Sequence, residues 1–341
     1  MDRDKYMVAT RCMTYNHAPY IEDTLGGFSI QNTTFPVVYM VVDDASTDGE
    51  PEIIKKWAKQ NLTPSKEGNM WQKMPYGLLA IGTLKGKPFS LFALLLLSEN
   101  HYQKKEGWKK LKYISEWNES AKYLASCDGD DYWTSPYKLQ KQVEILENHP
   151  SYSLCVHNYK SFLQKDGIFL PANRHYNEDI SFTYETYIAN LPTQPHTMMI
   201  RSTAYPTLAE RRKYKYFRDN HLYYYILKHG PGYYIAEEMG VYRITKNGIW
   251  TSLNIIEQKK IDLLCYVELY EHHPEEKEFR KLCIDLYSSY MFLCHINHQK
   301  IEKIQCKSLG LMGMIEIYLR YYAIQLHSII RPELKRRSLV N

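Results

Sequence analysis

Residues 37–42 and 91–97 are unbroken apolar runs, and that continuity limits the folds open to this chain. A strand with one face in water alternates polar and apolar side chains, whereas a strand apolar at every position must be covered on both faces. Segments of helical character separate the runs. Residues 18–30 form one; Ile53, Ile54, Trp57 and Ala58 share a face of a second; a third spans 107–121. A fourth starts at Ser135 and Pro136, with Pro at its favoured first position and Leu139, Val143 and Leu146 as its stripe. Strands alternating with helices predict an α/β fold, a mostly parallel sheet flanked by helices, with strands at 6–12, 37–42, 91–97, 123–127 and 152–158. Residues 62–90 show no clear periodicity and read as an irregular excursion. From residue 253 onward the pattern is helical only, so the expected division is an α/β domain at 1–252 and a helical extension at 253–341.

With 341 residues and 44% hydrophobic content, the chain can bury a substantial core. Its net charge of +5 is spread among interspersed acids and bases, which speaks against a nucleic-acid partner. The seven cysteines include no CxxC pair, and they read as buried thiols of a reducing cytosol. Asp2, Arg3, Asp4 and Lys5 precede only a short apolar run, unlike a signal peptide, and no apolar stretch approaches the roughly 20 residues that span a bilayer. The expected location is the cytoplasm.

Chemistry concentrates where strands end. Asp128, Asp130 and Asp131 follow one strand, and Asp43, Asp44 and Asp48 follow another. Open α/β sheets bind ligands at the carboxyl ends of their strands. Three carboxylates within four residues repel one another unless a cation or solvent compensates them, and Mg²⁺ commonly joins one or two carboxylates to substrate phosphates. An acidic turn that merely caps the next helix would show the same local spacing.

Thr14, Tyr15, Asn16 and His17 follow the first strand, Val42 to Asp48 the second, and Asp128, Gly129, Asp130, Asp131, Tyr132 and Trp133 a later one. In that order they resemble the family 2 glycosyltransferases of the GT-A fold. Lys138 to Gln142, Val241, Tyr242 and Arg243, and Gly248, Ile249 and Trp250 extend the similarity over residues 5–252. The resemblance implies an inverting, metal-dependent enzyme that moves a sugar from a nucleotide diphosphate donor, a UDP-sugar, to a hydroxyl of a glycan or lipid-linked acceptor. The setting implied is bacterial surface polysaccharide, capsule or lipopolysaccharide. Thr14, Tyr15 and Asn16 would line the nucleotide pocket, Asp44 with Asp43 would accept a hydrogen bond from the base, and Asp128 would contact ribose or sugar. Asp130 would ligate Mg²⁺ or Mn²⁺, and Asp131 would help through water or donor hydroxyls.

In-line attack places the base that deprotonates the acceptor opposite the leaving group, hence on another segment. Asp219, after Arg218 at the start of a helix, occupies the family's position for that base, although Asp is also a favoured helix cap. One departure concerns the metal. Related sequences carry a His shortly after the Tyr-Arg pair, whereas Thr245 follows here, leaving His196 or His157 as substitute ligands or Lys246 as a phosphate partner. Glu237 and Glu238 read as a solvated strand edge, and Trp133 and Trp250 as either sugar platforms or core.

Two rivals remain. A sugar-nucleotide nucleotidyltransferase would need a Gly-rich phosphate loop after the first strand, and Thr14 to Pro19 contains no glycine. A catalytically inactive scaffold that binds sugar nucleotides is the other; the acids at Asp128, Asp130 and Asp219 argue against it. In the C-terminal segment Leu311, Ile315, Tyr318 and Tyr322 fall at helical spacing ahead of Arg331, Lys335, Arg336 and Arg337, a pattern suited to peripheral contact with an anionic membrane. Packing on the catalytic domain, or on a second copy in a homo-oligomer, is the alternative.

Overall fold

The computed structural model describes residues 5–330 except 66–68, 172–175, 189–190, 192, 247 and 249, with side chains described as far as residue 327. Ile249 and the basic residues from Arg331 onward therefore lie outside the described residues. The described chain forms two compact units, one of residues 1–205 with 225–244 and the other of 206–224 with 245–341.

The first unit begins β1 (Tyr6–Thr14), α1 (Ile21–Ser29), β2 (Val37–Asp43) and α2 (Glu50–Asn61). It continues through β3 (Leu62–Pro64), β4 (Trp71–Met74), β5 (Gly77–Leu84), β6 (Ser90–Leu97), α3 (Trp108–Tyr113), α4 (Ser115–Glu119), β7 (Ala121–Ser126) and β8 (Tyr132–Trp133). After α5 (Lys138–Asn148) come β9 (Leu154–Leu163), β10 (Ile168–Pro171), β11 (Ile180–Phe182), α6 (Tyr184–Ile188) and β12 (Met199–Arg201). All these strands, with β13 (Gly232–Ile244), join one sheet in the order β11-β13-β9-β12-β7-β1-β2-β6-β5-β3, while β10 pairs with β9, β4 with β5 and β8 with β13.

The centre, β7-β1-β2-β6, is parallel, as the apolar runs predict. Strand β2 shows why every one of its residues is apolar until Asp43. Val37, Tyr39 and Val41 enter a core shared with Ile21, Leu25 and Phe28 of α1, Ile54 and Trp57 of α2, and Leu139 and Val143 of α5. Val38, Met40 and Val42 point the other way, into a core with Ile114 and the neighbouring Leu111 and Trp117. Each such side chain contributes about 1.5–3 kcal/mol by leaving water.

Two expectations need correction. Residues 62–90 are not an irregular excursion: β3 and β4 pair antiparallel with β5, and β5 with β6. These strands lie toward the sheet edge, where partial exposure weakens the apolar signal. The helix expected over 107–121 is two short ones, α3 and α4, separated at Ile114, whose φ of −109° and ψ of 8° leave the helical region.

The second unit is helical. It contains α7 (Leu208–Arg211), the start of α8 (Asp219–Leu227), α9 (Ile255–His272), α10 (Lys277–Ile296) and α11 (Gly310–Ile330). Asn254 opens α9 as a capping box, its Oδ1 accepting from Ile256 and Glu257 backbone N–H groups at 3.0 Å. Segment 206–224 belongs with these helices because Glu268 of α9 accepts from the Lys215 and Tyr216 amides, and Tyr224 donates to Glu276 at 3.1 Å. Among the described residues no helix is long and apolar enough to cross a membrane, and all seven cysteines are free and buried.

Candidate active site

Strands β2, β1 and β7 are neighbours, with Thr14 level with Asp43 and Arg11 level with Ser126, so the three loops that follow them emerge side by side. Glu50, fully buried at the start of α2, ties the first two together. It accepts from the Thr14 hydroxyl, from His17 N–H at 2.8 Å and from Ser46 Oγ at 2.9 Å. The Asn16 amide donates to Ser46 Oγ and the Thr47 amide to Asn16 Oδ1, both at 2.8 Å. Asn16 and Ala45 adopt positive φ of 56° and 61°, a conformation these reciprocal bonds hold in place. The third loop is pressed against the first. A Cβ on Gly129 would lie 2.0 Å from Thr14 Oγ1, so only glycine lets the acidic turn approach this closely.

The predicted carboxylates have different surroundings. Asp44 is 2% exposed and serves the loop after β6: its Oδ1 accepts from the His101 amide at 2.8 Å, and its Oδ2 from the Tyr102 amide at 3.1 Å and Lys110 Nζ at 2.8 Å. That loop carries Gln103, whose side-chain amide reaches the Tyr15 hydroxyl at 3.2 Å. Asp43 is also buried, with Ser46 N–H 3.3 Å from Oδ2, while its Oδ1 has no hydrogen-bond partner among the described residues. Burial pushes the Asp43 pKa up to about 6, against a smaller opposing effect of the Ser46 hydrogen bond.

In the acidic turn, Asp131 is an internal brace. Its Oδ1 accepts from the Arg243 amide at 2.8 Å, and its Oδ2 lies 3.3 Å from His196 Nδ1. Arg243 holds the same turn from outside through Nε to the Asp130 carbonyl at 2.8 Å, and reaches Asp23 at 2.6 Å and Gln164 at 2.6 Å. Asp128 is partly exposed beside it. Asp130 is partly exposed too, and its neighbour is His17, with Nε2 3.9 Å from Oδ2. Desolvation first, and then the Asp131 charge, raise the Asp130 pKa, while His17 and Arg243 pull it down.

His17 is the functional candidate that spacing within one segment could not reveal, because its partner Asp130 lies more than a hundred residues away. With Nδ1 3.2 Å from Thr14 Oγ1, its imidazole is oriented with Nε2 toward Asp130, an orientation that suits a second ligand. His157 and His196 are instead fully buried, and Trp133 is core, donating Nε1–H to the His196 carbonyl at 2.8 Å. Glu99, His101 and Glu106 form a further acid-histidine cluster on the loop after β6. Its carboxylates are paired with Lys104 and Lys109, so it braces the loop as an ion-pair network. In the second unit, Asp219 opens α8 with its side chain accessible to solvent. Desolvation by surrounding protein nevertheless raises its pKa, with Arg218 opposing.

No family model matches the sequence. The uncharacterized proteins Mb1547 of Mycobacterium bovis and Rv1520 of Mycobacterium tuberculosis are each 30% identical to it over 252 residues, covering 70% of this chain and 59% of their own. The chain thus spans about three fifths of the length of the curated relatives it matches. Among solved structures, residues 1–349 of Staphylococcus aureus TarS in complex with UDP share the fold at a TM-score of 0.51 and 15% identity, covering 83% of this chain and 71% of that one. The architecture is the α/β glycosyltransferase fold, GT-A-like, with a helical C-terminal part.

Proposed function

We propose that the protein is an inverting glycosyltransferase that uses a nucleoside diphosphate sugar, UDP-linked, to glycosylate a hydroxyl of a glycan or lipid-linked acceptor in bacterial surface polysaccharide synthesis. The observation that carries this reading is the convergence of three loops at the carboxyl ends of adjacent parallel strands, with Asp130 partly open beside His17 while Asp131 and Asp44 are bound internally. Asp130 and His17 offer oxygen and nitrogen to Mn²⁺ or Mg²⁺, and a raised carboxylate pKa fits a site short of positive charge. A cation held there would neutralise charge developing on the departing diphosphate.

Asp43, with its unpartnered buried oxygen, is better placed than Asp44 to accept a hydrogen bond from the base. Asp44 fixes the loop that carries Tyr102 and Gln103, and Thr14, Tyr15 and Asn16 shape the adjoining wall. Asp128 serves ribose or sugar. Asp219 takes the proton from the acceptor hydroxyl, its raised pKa making the carboxylate a stronger base. Incubating the protein with a set of UDP- and GDP-sugars and measuring nucleotide release tests the class. Release with Mn²⁺, lost in EDTA, is expected for one donor; no turnover of any donor under either condition would reject it.

The acceptor side includes a membrane surface in this reading. On α11, Glu316 and Arg320 turn toward α10, where they pair with Arg280 and Asp285; Ile317 and Tyr321 are buried, and a second row of apolar side chains faces out. Leu311 is 78% exposed, Leu319 66% and Leu326 63%, with Ile315, Tyr318 and Tyr322 between them. At 1.5 Å per residue, positions 311 to 326 make a stripe about 22 Å long. The sequence that follows carries Arg331, Lys335, Arg336 and Arg337. An apolar stripe joined to basic residues fits the interface of an anionic bilayer. Sedimentation with phosphatidylglycerol vesicles is expected to carry the protein down, and the triple change Leu311→Asp, Leu319→Asp, Leu326→Asp to release it. Equal recovery with neutral phosphatidylcholine vesicles would contradict the electrostatic part.

A further inference from the structure

Strand β13 runs parallel to β9, but its register shifts twice, between Ile235 and Glu238 and again between Glu238 and Val241. Such irregularities bend a strand and re-aim its side chains, and they are common beside binding sites. Here the bend borders a cavity of about 260 Å³, lined by Tyr132 of β8, Lys160 of β9, Phe169 of β10, and Glu238 and Gly240 of β13. Its volume falls short of the roughly 300–1,000 Å³ of drug-sized pockets and suits a single sugar ring.

Two features of the lining are unexplained by folding. Phe169 is 50% exposed, its ring resting on Phe162 at 4.5 Å between centroids with much of its surface left in water. Lys160 and Glu238, both in the lining, form an ion pair at 3.0 Å, and both are substantially exposed. An aromatic surface beside a paired ammonium and carboxylate is complementary to a pyranoside, with one face of C–H groups and a rim of hydroxyls that both donate and accept. It is a poor phosphate site, since the one lysine is already neutralised by the glutamate. Gly240 keeps the wall where it is, because a Cβ there would come within 2.9 Å of the buried His196 ring.

We infer that this cavity is a subsite for a hexopyranoside unit of the acceptor. The inference rests on the glycosyltransferase reading and deepens it. Tyr132 lies two residues beyond Asp130, about 7 Å at the spacing of extended chain, so a ring held there sits within one or two sugar units of the donor end. Glu238, which spacing alone marked as a solvated strand edge, thereby gains a specificity role.

The test uses the full chain saturated with UDP and Mn²⁺, and saturation-transfer NMR with methyl glycosides of glucose, galactose, mannose and N-acetylglucosamine as probes. At least one glycoside is expected to receive magnetisation from the protein's aromatic protons. That signal should fall at least fivefold in Phe169→Ala and in Glu238→Gln, both at exposed positions, while UDP affinity stays within twofold of the parent. An unchanged signal in both variants, or the absence of glycoside binding while UDP binds normally, overturns the subsite. Failure of UDP to bind the parent protein would instead strike the donor reading itself.

Discussion

Asp219→Asn is expected to lower kcat by about 10²- to 10⁴-fold, the range for loss of a general base. The substitution separates two roles that the sequence leaves superimposed. Asp219 is the first residue of α8, one past Arg218, whose carbonyl accepts from the Leu222 amide at 3.1 Å; removing its charge there costs about 0.3–1 kcal/mol, so the helix should be retained. The carboxamide cannot take up the acceptor's proton, so chemistry should fail while the thermal midpoint and UDP affinity hold. The pH profile supplies a second check. With its folded pKa raised by desolvation, the carboxylate becomes available as base only above the ordinary value of about 3.9, so the acidic limb of kcat/KM should lie higher than for a solvated aspartate. Transfer within threefold of the parent would reduce Asp219 to a favourable charge in the first turn of α8.

Lys138→Met should stabilise the protein at neutral and acidic pH. Lys138 opens α5 fully buried, its Nζ 3.9 Å from the centre of the Trp133 ring and without a hydrogen-bond partner among the described residues. Burial lowers its pKa to about 7, from about 10.4 in an unfolded chain. Between those values the unfolded state binds more protons, so stability rises with pH across that window and the full penalty applies below it. A shift of this size corresponds to a penalty on the order of 5 kcal/mol. Methionine fills similar space without charge. The urea midpoint should therefore rise at pH 6.5, by the equivalent of about 2–4 kcal/mol, and the gain should shrink toward pH 10. Destabilisation at pH 6.5 would mean that the ammonium's contact with Trp133 outweighs its desolvation.

The parallel core was legible because burial on both faces leaves an unbroken apolar run at residues 37–42 of β2 and 91–97 of β6. The position of the acidic turns followed, since a polar cluster directly after a buried strand has few places to go. Less legible was how the carboxylates divide their work. Asp43 and Asp44 are adjacent and chemically identical, yet the partners that distinguish them, the His101 and Tyr102 amides of the loop after β6 and Lys110 of α3, lie 57 to 66 residues away. The same holds for Asp130 and Asp131: Arg243 and His196 claim the second and leave the first beside His17. Local spacing reports which residue types are near one another in the chain, whereas these assignments depend on contacts closed by the sheet. The edge strands β3 to β5 were missed for a related reason, because partly exposed strands lack the continuous apolar pattern that identified the centre.

Calorimetric titration of UDP into the parent protein and Asp130→Asn, each with Mn²⁺ and with EDTA, tests the central claim most directly. The account predicts that the parent loses at least tenfold in affinity when the cation is removed, and that Asp130→Asn binds UDP equally weakly in both conditions. UDP affinity that ignores both the cation and the substitution would contradict it.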